Sequence, residues 1–156
     1  MTAVEVLVQA EDFDVSSLQR ELSSGDGGAG ALVSFVGLVR SGNQGREIET
    51  MQLEHYPGMT EGSIQSIVAE ARQRWEIRAV RVVHRIGELK PGDQIVYVGV
   101  TGTHRGTTFE ACEFIMDYLK TRAPFWKKES TANGGHWVDA READTAAAQR
   151  WDASPE

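Results

Sequence analysis

Residues 80–101, VRVVHRIGELKPGDQIVYVGVT, carry the pattern that decides the fold. Alternating positions over residues 80–86 predict one β-strand, and the apolar residues 95–101 predict a second. Between them, Lys90-Pro91-Gly92-Asp93 predicts a turn, because proline presets one backbone dihedral angle and glycine tolerates positive φ. The segment therefore predicts an antiparallel hairpin.

Toward the N-terminus, residues 31–39, ALVSFVGLV, are almost continuously apolar and β-branched, which indicates a buried strand. The polar loop SGNQG follows, and residues 47–56 are predicted to return as a strand, so that residues 31–56 form another hairpin. Further upstream we expect a strand over 4–8, a short helix capped by Asp14, and a flexible connector over 23–30.

Two main helices are predicted. The first follows Pro57-Gly58, with Thr60 as its cap, and has one apolar face made of Ile64, Ile67, Val68, Ala71 and Trp75. The second begins at a Thr107/Glu110 capping box and ends before Pro124. Its predicted buried stripe consists of Phe109, Cys112, Met116 and Leu119. A further helix is expected over 139–151.

Antiparallel hairpins interleaved with two main helices indicate an α+β fold. A length of 156 residues is expected to form a single domain, residues 1–156.

The composition excludes several classes of protein. The net charge of -7 argues against general nucleic-acid binding, which requires a broad basic surface. No apolar run reaches the roughly 20 residues of a membrane span, and the first residues do not resemble a signal peptide. The single cysteine, Cys112, excludes an internal disulfide and predicts a reduced, cytoplasmic setting.

One segment departs from this acidic balance. Residues 120–128, KTRAPFWKK, carry four positive charges and no negative one, so the rest of the chain carries -11. Such clustering costs stability unless an anion or a catalytic task uses the charges. Lys120 shares a helix face with Met116, and the simplest interpretation is a lysine whose ammonium group reaches solvent. The alternative is a site in which Phe125 and Trp126 pack and thereby aim Lys127.

A second candidate anion site is His104-Arg105-Gly106, at the predicted start of the second main helix. Free backbone N–H groups and the helix dipole favour anions there, and arginine can bind phosphate with two hydrogen bonds. An exposed turn with incidental charges is the alternative. The two cationic segments are separated by about 12 residues of helix, or about 18 Å, so one small ligand cannot touch both directly. Arg40, at the end of a predicted strand, is a weaker candidate ligand clamp.

Metal and cofactor motifs are not predicted. His55, His84 and His136 lack metal-ligand spacing and are interpreted as packing or surface residues. The glycines of residues 25–30 precede a strand instead of following one, which is the wrong order for a dinucleotide fingerprint. Cys112 lies on the predicted buried stripe and is interpreted as an inert thiol.

Six segments resemble a known family. They are FVGLVR (35–40), LEHYPGMTE (53–61), HRIGELKPGD (84–93), VGVTGTHRG (98–106), FIMDYLKTRAPFWKKE (114–129) and WVDAREAD (137–144). In this order, within about residues 30–151, they resemble the large, catalytic subunit of molybdopterin synthase.

The resemblance implies an α/β hammerhead-like fold and a sulfur transferase of molybdenum-cofactor biosynthesis. Such an enzyme converts cyclic pyranopterin monophosphate to molybdopterin and requires no cofactor of its own. The implied sulfur donor is the thiocarboxylate on the C-terminal Gly-Gly of a small ubiquitin-like subunit. The implied assembly is a heterotetramer, in which a homodimer of large subunits carries one small subunit at each end, and the site lies at the dimer interface.

The resemblance also implies roles for individual residues. Lys120 and Lys127 match the two key lysines of the family. The positions that bind substrate, line the pocket or shape it are matched by Phe35, Leu38, Val39, Arg40, His104, Arg105, Met116, Lys128, Glu129 and Arg141. Leu38 stands where the family often has a polar or basic residue, so the resemblance supports a backbone contact there and not a side-chain role.

Two other functions remain open at this point. The basic segment could hold the acidic tail of a partner in a non-enzymatic anion-binding or scaffold module. A homologue that has lost activity is the other possibility, but the retained Arg40, His104, Arg105, Lys120 and Lys127 argue against it.

Overall fold

The computed structural model describes residues 3–25, 27–43, 46–47, 49–131, 134–138 and 142–152. In chain order the elements are β1 (Val4–Gln9), α1 (Val15–Ser23), β2 (Ala31–Leu38), β3 (Gly42–Asn43), β4 (Arg46–Glu47), β5 (Thr50–His55), α2 (Met59–Arg74), β6 (Ile77–Arg85), β7 (Gly87–Leu89), β8 (Gln94–Gly102), α3 (Arg105–Leu119), β9 (Phe125–Thr131), β10 (Gly134–Val138) and α4 (Glu142–Gln149).

The hairpin predicted from residues 80–101 is confirmed and forms the centre of the first sheet. This sheet has the order β1-β6-β8-β2, and β6 pairs with β8 in antiparallel register, with Val82 opposite Val98. The turn closes through the Asp93 N–H, which donates to the Lys90 carbonyl at 2.9 Å. Gly92 has a φ of 92°, which is why glycine is needed there.

The second predicted hairpin, over residues 31–56, is wrong. β2 pairs with β8, with Val33 opposite Val100, and not with β5. β5 lies in a second sheet of order β10-β9-β5-β7, where it pairs with β9 and β7. An apolar run predicts that a strand is buried but does not identify the strand with which it pairs. In the structure, β2 pairs with the edge of β8 that is opposite β6.

The main core lies between the first sheet and the helices α2 and α3. Ile64, Val80, Val98 and Ile115 are all fully buried there. α1 covers the other face of the sheet, where Leu22, Val83 and Tyr97 form a smaller cluster. The two longest helices, α2 and α3, are the two main helices of the predicted α+β fold, which is confirmed.

Both predicted helix starts lie slightly too late in the chain. α2 is capped at Gly58, whose N–H donates to the Glu61 carboxylate at 2.9 Å, so Thr60 lies inside the helix. α3 begins after His104, and the Thr107 hydroxyl donates to the His104 carbonyl. Hydroxyl groups in a first helical turn resemble caps in the sequence because they can bond to the same backbone groups.

The predicted buried stripe of α3 is correct except at its first member. Cys112, Met116 and Leu119 are buried, but the Phe109 side chain is 61% exposed. Thr108 and Ala111 occupy the inner face instead. The last helix, α4, ends at Gln149, two residues before the predicted end, and residues 139–141 lie outside the described residues.

The topology gives the first sheet two distinct ends. We call the end marked by Leu38, Arg85 and Gln94 the lysine end, because Lys120 lies there. The opposite end, marked by Ala31 and Gly102, is the histidine end, where His104 follows β8. α3 runs back along β8 and β2, from the histidine end to the lysine end.

No helix in the described part of the chain is both long and apolar enough to span a membrane. Within the same residues, His, Cys, Asp and Glu side chains do not gather in any group of three that could hold a metal ion.

Candidate active site at the lysine end

Three elements bring the two predicted lysines to one end of the sheet. Lys120 is the C-cap residue of α3, and its side chain is exposed. Lys127 is the third residue of β9 and is partly buried. Both lysines act electrostatically on His84, near the end of β6. Phe125, Trp126 and Lys127 begin β9, which pairs with β5.

His84, which lies near both lysines, has a neutral ring. Its imidazole stacks on Phe125, with 3.9 Å between ring centroids and an interplanar angle of 21°. Burial is the largest cause that lowers the pKa of His84, and the neighbouring Lys120, His55 and Lys127 act in the same direction, so that the pKa is about 4 although a hydrogen bond to the Arg85 carbonyl raises it. The imidazole is therefore uncharged at pH 7.

The tautomer of His84 follows from the same hydrogen bond. Nδ1 lies 2.9 Å from the Arg85 carbonyl oxygen, which can only accept, so Nδ1 carries the proton. Nε2 then keeps a lone pair and can accept a hydrogen bond. The sequence pattern indicated a packing or surface residue at His84, and the stacking on Phe125 shows packing. Nothing in the sequence placed it near the lysines.

The strand β9 places its two lysines, Lys127 and Lys128, on opposite faces. Successive side chains of a strand point to opposite faces, so Lys127 shares a face with Phe125 and lies on the His84 side. Lys128 lies on the opposite face, where a Cβ on Gly135 would stand 2.5 Å from its side chain. Trp126 packs edge-to-face on Tyr56, with centroids 4.3 Å apart. Phe125 and Trp126 thus pack on both sides of β9, as the sequence suggested.

Arg122, the remaining cation of residues 120–128, contacts residues of α2 and α3. The Arg122 guanidinium lies 3.1 Å from the Glu70 carboxylate of α2 and stacks over the Tyr118 ring at 3.7 Å. It therefore links the turn after α3 to α2.

A groove leads along α3 to Lys120. It has a volume of about 380 Å³ and runs between the edge strand β2 and the outer face of α3. Phe35, Phe109 and Met116 contribute apolar surface, and Lys120 lies at one end. The Cys112 thiol also borders the groove, but burial raises its pKa to about 12, in keeping with an inert thiol. The exposed Phe109, misassigned to the core, is thus part of the groove.

The residues before the loop at 41 also lie at the lysine end. Arg40 and Leu38 are exposed, whereas Val39 is buried in a cluster with Met51 and Leu89. Val39 also exchanges backbone hydrogen bonds with Asp93 and Gly92. The Val39 side chain consequently packs in the core and not in an open pocket.

His104 and Arg105 lie at the other end of α3. Both are exposed at its N-terminus, and the first turn contains no acidic residue. α3 has 15 residues, or about 22 Å, so within one chain these side chains do not meet the lysines. The geometric separation expected from the sequence is therefore confirmed.

Two further predicted residues lie wholly or partly outside the described part of the chain. Arg141 lies outside the described residues. Glu129 is placed in β9 opposite Met51, with no description of its side chain.

Comparisons with known proteins identify the family of the chain. Residues 8–122 match the family described as MoaE protein. A Vibrio cholerae protein named molybdopterin synthase catalytic subunit is 55% identical over 147 residues, which is 94% of this chain and 97% of that protein.

Two solved structures share the fold. A molybdopterin biosynthesis MoaE protein from Burkholderia ambifaria MC40-6 has a TM-score of 0.82 at 49% identity, over 96% of this chain and 99% of that chain. The crystal structure of molybdopterin synthase from Staphylococcus aureus has a TM-score of 0.78 at 30% identity, over 89% of this chain and 98% of that chain. Because the family match spans most of the chain and its relatives align over nearly all of it, the chain belongs to the MoaE family.

Proposed function

We propose that this chain is the catalytic subunit of a molybdopterin synthase. It transfers sulfur to cyclic pyranopterin monophosphate, and the donor is the C-terminal thiocarboxylate of a small ubiquitin-like subunit. The observation that carries the proposal is a groove that ends at Lys120, near the stack of His84 on Phe125, whose strand β9 carries Lys127 on the same face. Family membership supports the same activity.

The groove suits an extended peptide tail. From Phe109 to Lys120 it follows 11 residues of helix, about 16 Å, which corresponds to about five residues of extended chain. β2 pairs only with β8 among the described strands, so its outer edge offers backbone hydrogen bonds to an added strand. The thiocarboxylate of a tail bound in this way would lie next to Lys120.

The two lysines have different parts in the chemistry. Lys120 assists attack by the thiocarboxylate sulfur, through proton transfer or by stabilising the charge of the tetrahedral or acyl intermediate. Lys127 neutralises the thiocarboxylate and assists opening of the cyclic phosphate. Two sulfurs are required, so the half-thiolated pterin stays bound while one small subunit replaces another. A cationic site favours that retention.

The phosphate is held by His104, Arg105 and Arg40. Because His104 and Arg105 lie about 22 Å from Lys120 in one chain, a second copy must supply them. A two-fold symmetric dimer can place the histidine end of one copy against the lysine end of the other. The proposed assembly is accordingly a homodimer of this chain with one small subunit at each end. Arg141, Lys128 and Glu129 complete the proposed pocket.

We propose that residues 1–156 act as one domain, in the reduced cytoplasm. The single buried thiol, Cys112, supports this setting.

The test mixes the chain with thiocarboxylated small subunit and cyclic pyranopterin monophosphate and follows the dithiolene product by mass spectrometry. Lys120→Ala is expected to lower turnover by roughly 10²- to 10⁴-fold, the usual contribution of general acid–base catalysis. Arg122→Ala is the matched control from the same cationic segment. It is expected to stay within about threefold of wild type, since exposed ion pairs such as Arg122 with Glu70 contribute little.

Each outcome is decisive. A wild-type rate in Lys120→Ala would remove this lysine from the mechanism. Absence of product with the unmodified chain would contradict the proposed function, and binding of the small subunit without product would favour the anion-binding module instead.

A further inference from the structure

The segment that connects the two lysines is held by a buried hydroxyl group of another helix. Thr60, in the first turn of α2, is fully buried. Its Oγ1 accepts a hydrogen bond from the Tyr56 N–H at 3.0 Å and donates one to the Pro124 carbonyl at 3.0 Å. Pro124 lies between Lys120 and Lys127, so this bond joins α2 to the connection between them.

The start of α2 does not require this bond. Glu61 already satisfies the Gly58 N–H, and the Thr60 N–H donates to the Tyr56 carbonyl at 2.9 Å. A threonine near a helix start usually directs its hydroxyl to its own helix. Here the only proton of the hydroxyl is directed to a residue 64 positions away.

The orientation of the Pro124 carbonyl is coupled to the direction in which β9 begins. The proline ring fixes φ at this residue, so the direction in which β9 leaves depends on ψ, which also orients the carbonyl. The next residue, Phe125, donates its N–H to the Ala123 carbonyl at 2.8 Å and stacks on His84. A bond that orients the Pro124 carbonyl therefore orients β9 and the Lys127 side chain on it.

We propose that Thr60 is a positioning residue that sets the placement of Lys127 relative to Lys120 through its hydrogen bond to the Pro124 carbonyl. The inference rests on the proposed function, because it assumes that both lysines act on the substrate. Thr60 itself does not touch the reacting atoms.

The experiment compares Thr60→Val with Thr60→Ser in the complete system of chain, thiocarboxylated small subunit and cyclic pyranopterin monophosphate. Valine keeps the shape and removes both hydrogen bonds, and serine keeps the hydroxyl. Thr60→Val is expected to lower kcat by roughly 10- to 100-fold, because displacement of a reacting group by about 1 Å can cost that much. KM for the small subunit is expected to change by less than about twofold, since the groove is not altered.

Serine should restore kcat to within about threefold of wild type, since it re-forms the bond to Pro124. Thr101→Val is the matched control, because Thr101 is also buried and its hydroxyl has no hydrogen-bond partner among the described residues. That variant is expected to keep the wild-type kcat.

The outcomes separate this inference from the proposed function. If Thr60→Val melts at a lower temperature but turns over at the wild-type rate per folded enzyme, Thr60 is structural only and the inference is wrong. If Thr60→Val does not fold, Thr60→Ala takes its place, since alanine removes the hydroxyl without adding bulk. An unchanged kcat in folded Thr60→Ala would contradict the inference equally. Lack of product from the wild-type chain contradicts the proposed function instead.

Discussion

The two ends of α3 both carry positive charge, but they hold it in different ways. At the lysine end, Lys120 and Lys127 come from different elements and lie around a partly buried aromatic stack of His84 and Phe125. At the histidine end, His104 and Arg105 are neighbours in sequence, exposed at a helix N-terminus.

The difference separates two tasks. Attraction of an anion acts over several ångströms and tolerates mobile side chains, so exposed charges at a helix N-terminus are sufficient. Acid–base or nucleophilic chemistry requires groups placed to within a fraction of an ångström, which packing from several elements can provide. The lysine end is built for the second task and the histidine end for the first.

The largest effect expected within β9 tests whether the packing of the lysine end distinguishes the adjacent Lys127 and Lys128. Lys127→Ala is expected to lower kcat by roughly 10²- to 10³-fold, comparable to removal of one preorganised donor. Lys128→Ala removes the same charge from the opposite face of β9 and should act mainly on KM, by about tenfold or less. Steady-state kinetics on both variants provide the measurement. Equal losses of kcat would mean that total charge matters and that the placement by β9 does not.

A second experiment tests whether the two ends meet across a dimer. Lys120→Ala and Arg105→Ala are each expected to be nearly inactive as homodimers. If the ends combine in trans, a one-to-one mixture after subunit exchange recovers about a quarter of wild-type turnover, because half of the dimers are mixed and each has one intact site.

The control is a one-to-one mixture of the Lys120→Ala chain and the Lys127→Ala chain, which are both changed at the lysine end. Recovery should fail there if one chain provides both lysines of a site. If the mixture of Lys120→Ala and Arg105→Ala also fails to recover, the histidine end does not serve the neighbouring site.

The smallest expected effect concerns stability and pH. Because the pKa of His84 is lowered from 6.5 to about 4, the folded protein keeps this ring neutral where the unfolded chain would protonate it. The resulting stability is fully present above pH 6.5 and is lost as the pH falls toward 4, by at most about 3 kcal/mol.

His84→Phe keeps an aromatic ring against Phe125 but cannot take up a proton. We expect its free energy of unfolding, measured with urea between pH 7.5 and pH 4, to depend less on pH than that of wild type. Carboxylates titrate in both proteins and cancel in the difference. Parallel pH profiles would show that His84 is not held neutral by the packing of the lysine end.

Much of the local structure was predictable. The central hairpin, the main helices and the strand at 31–39 follow from periodicity and turn chemistry, which depend on neighbours within a few residues. The pairing of β2 was not predictable, because an apolar strand fits any open edge of a buried sheet. Phe109 was misassigned because its apolar side chain suggested burial, whereas Thr108 and Ala111 face the core in the first turns of α3.

The sequence by itself determined the composition of the site: a cationic segment on an acidic chain, a phosphate-suited helix start, and a resemblance specific enough to indicate the chemistry. Only the tertiary structure decided which of these groups lie together. It placed Lys127 and not Lys128 beside His84, directed Arg122 to Glu70, and joined Thr60 to Pro124. These contacts join residues up to 64 positions apart, and they form only when the packing of helices on a sheet brings distant segments together.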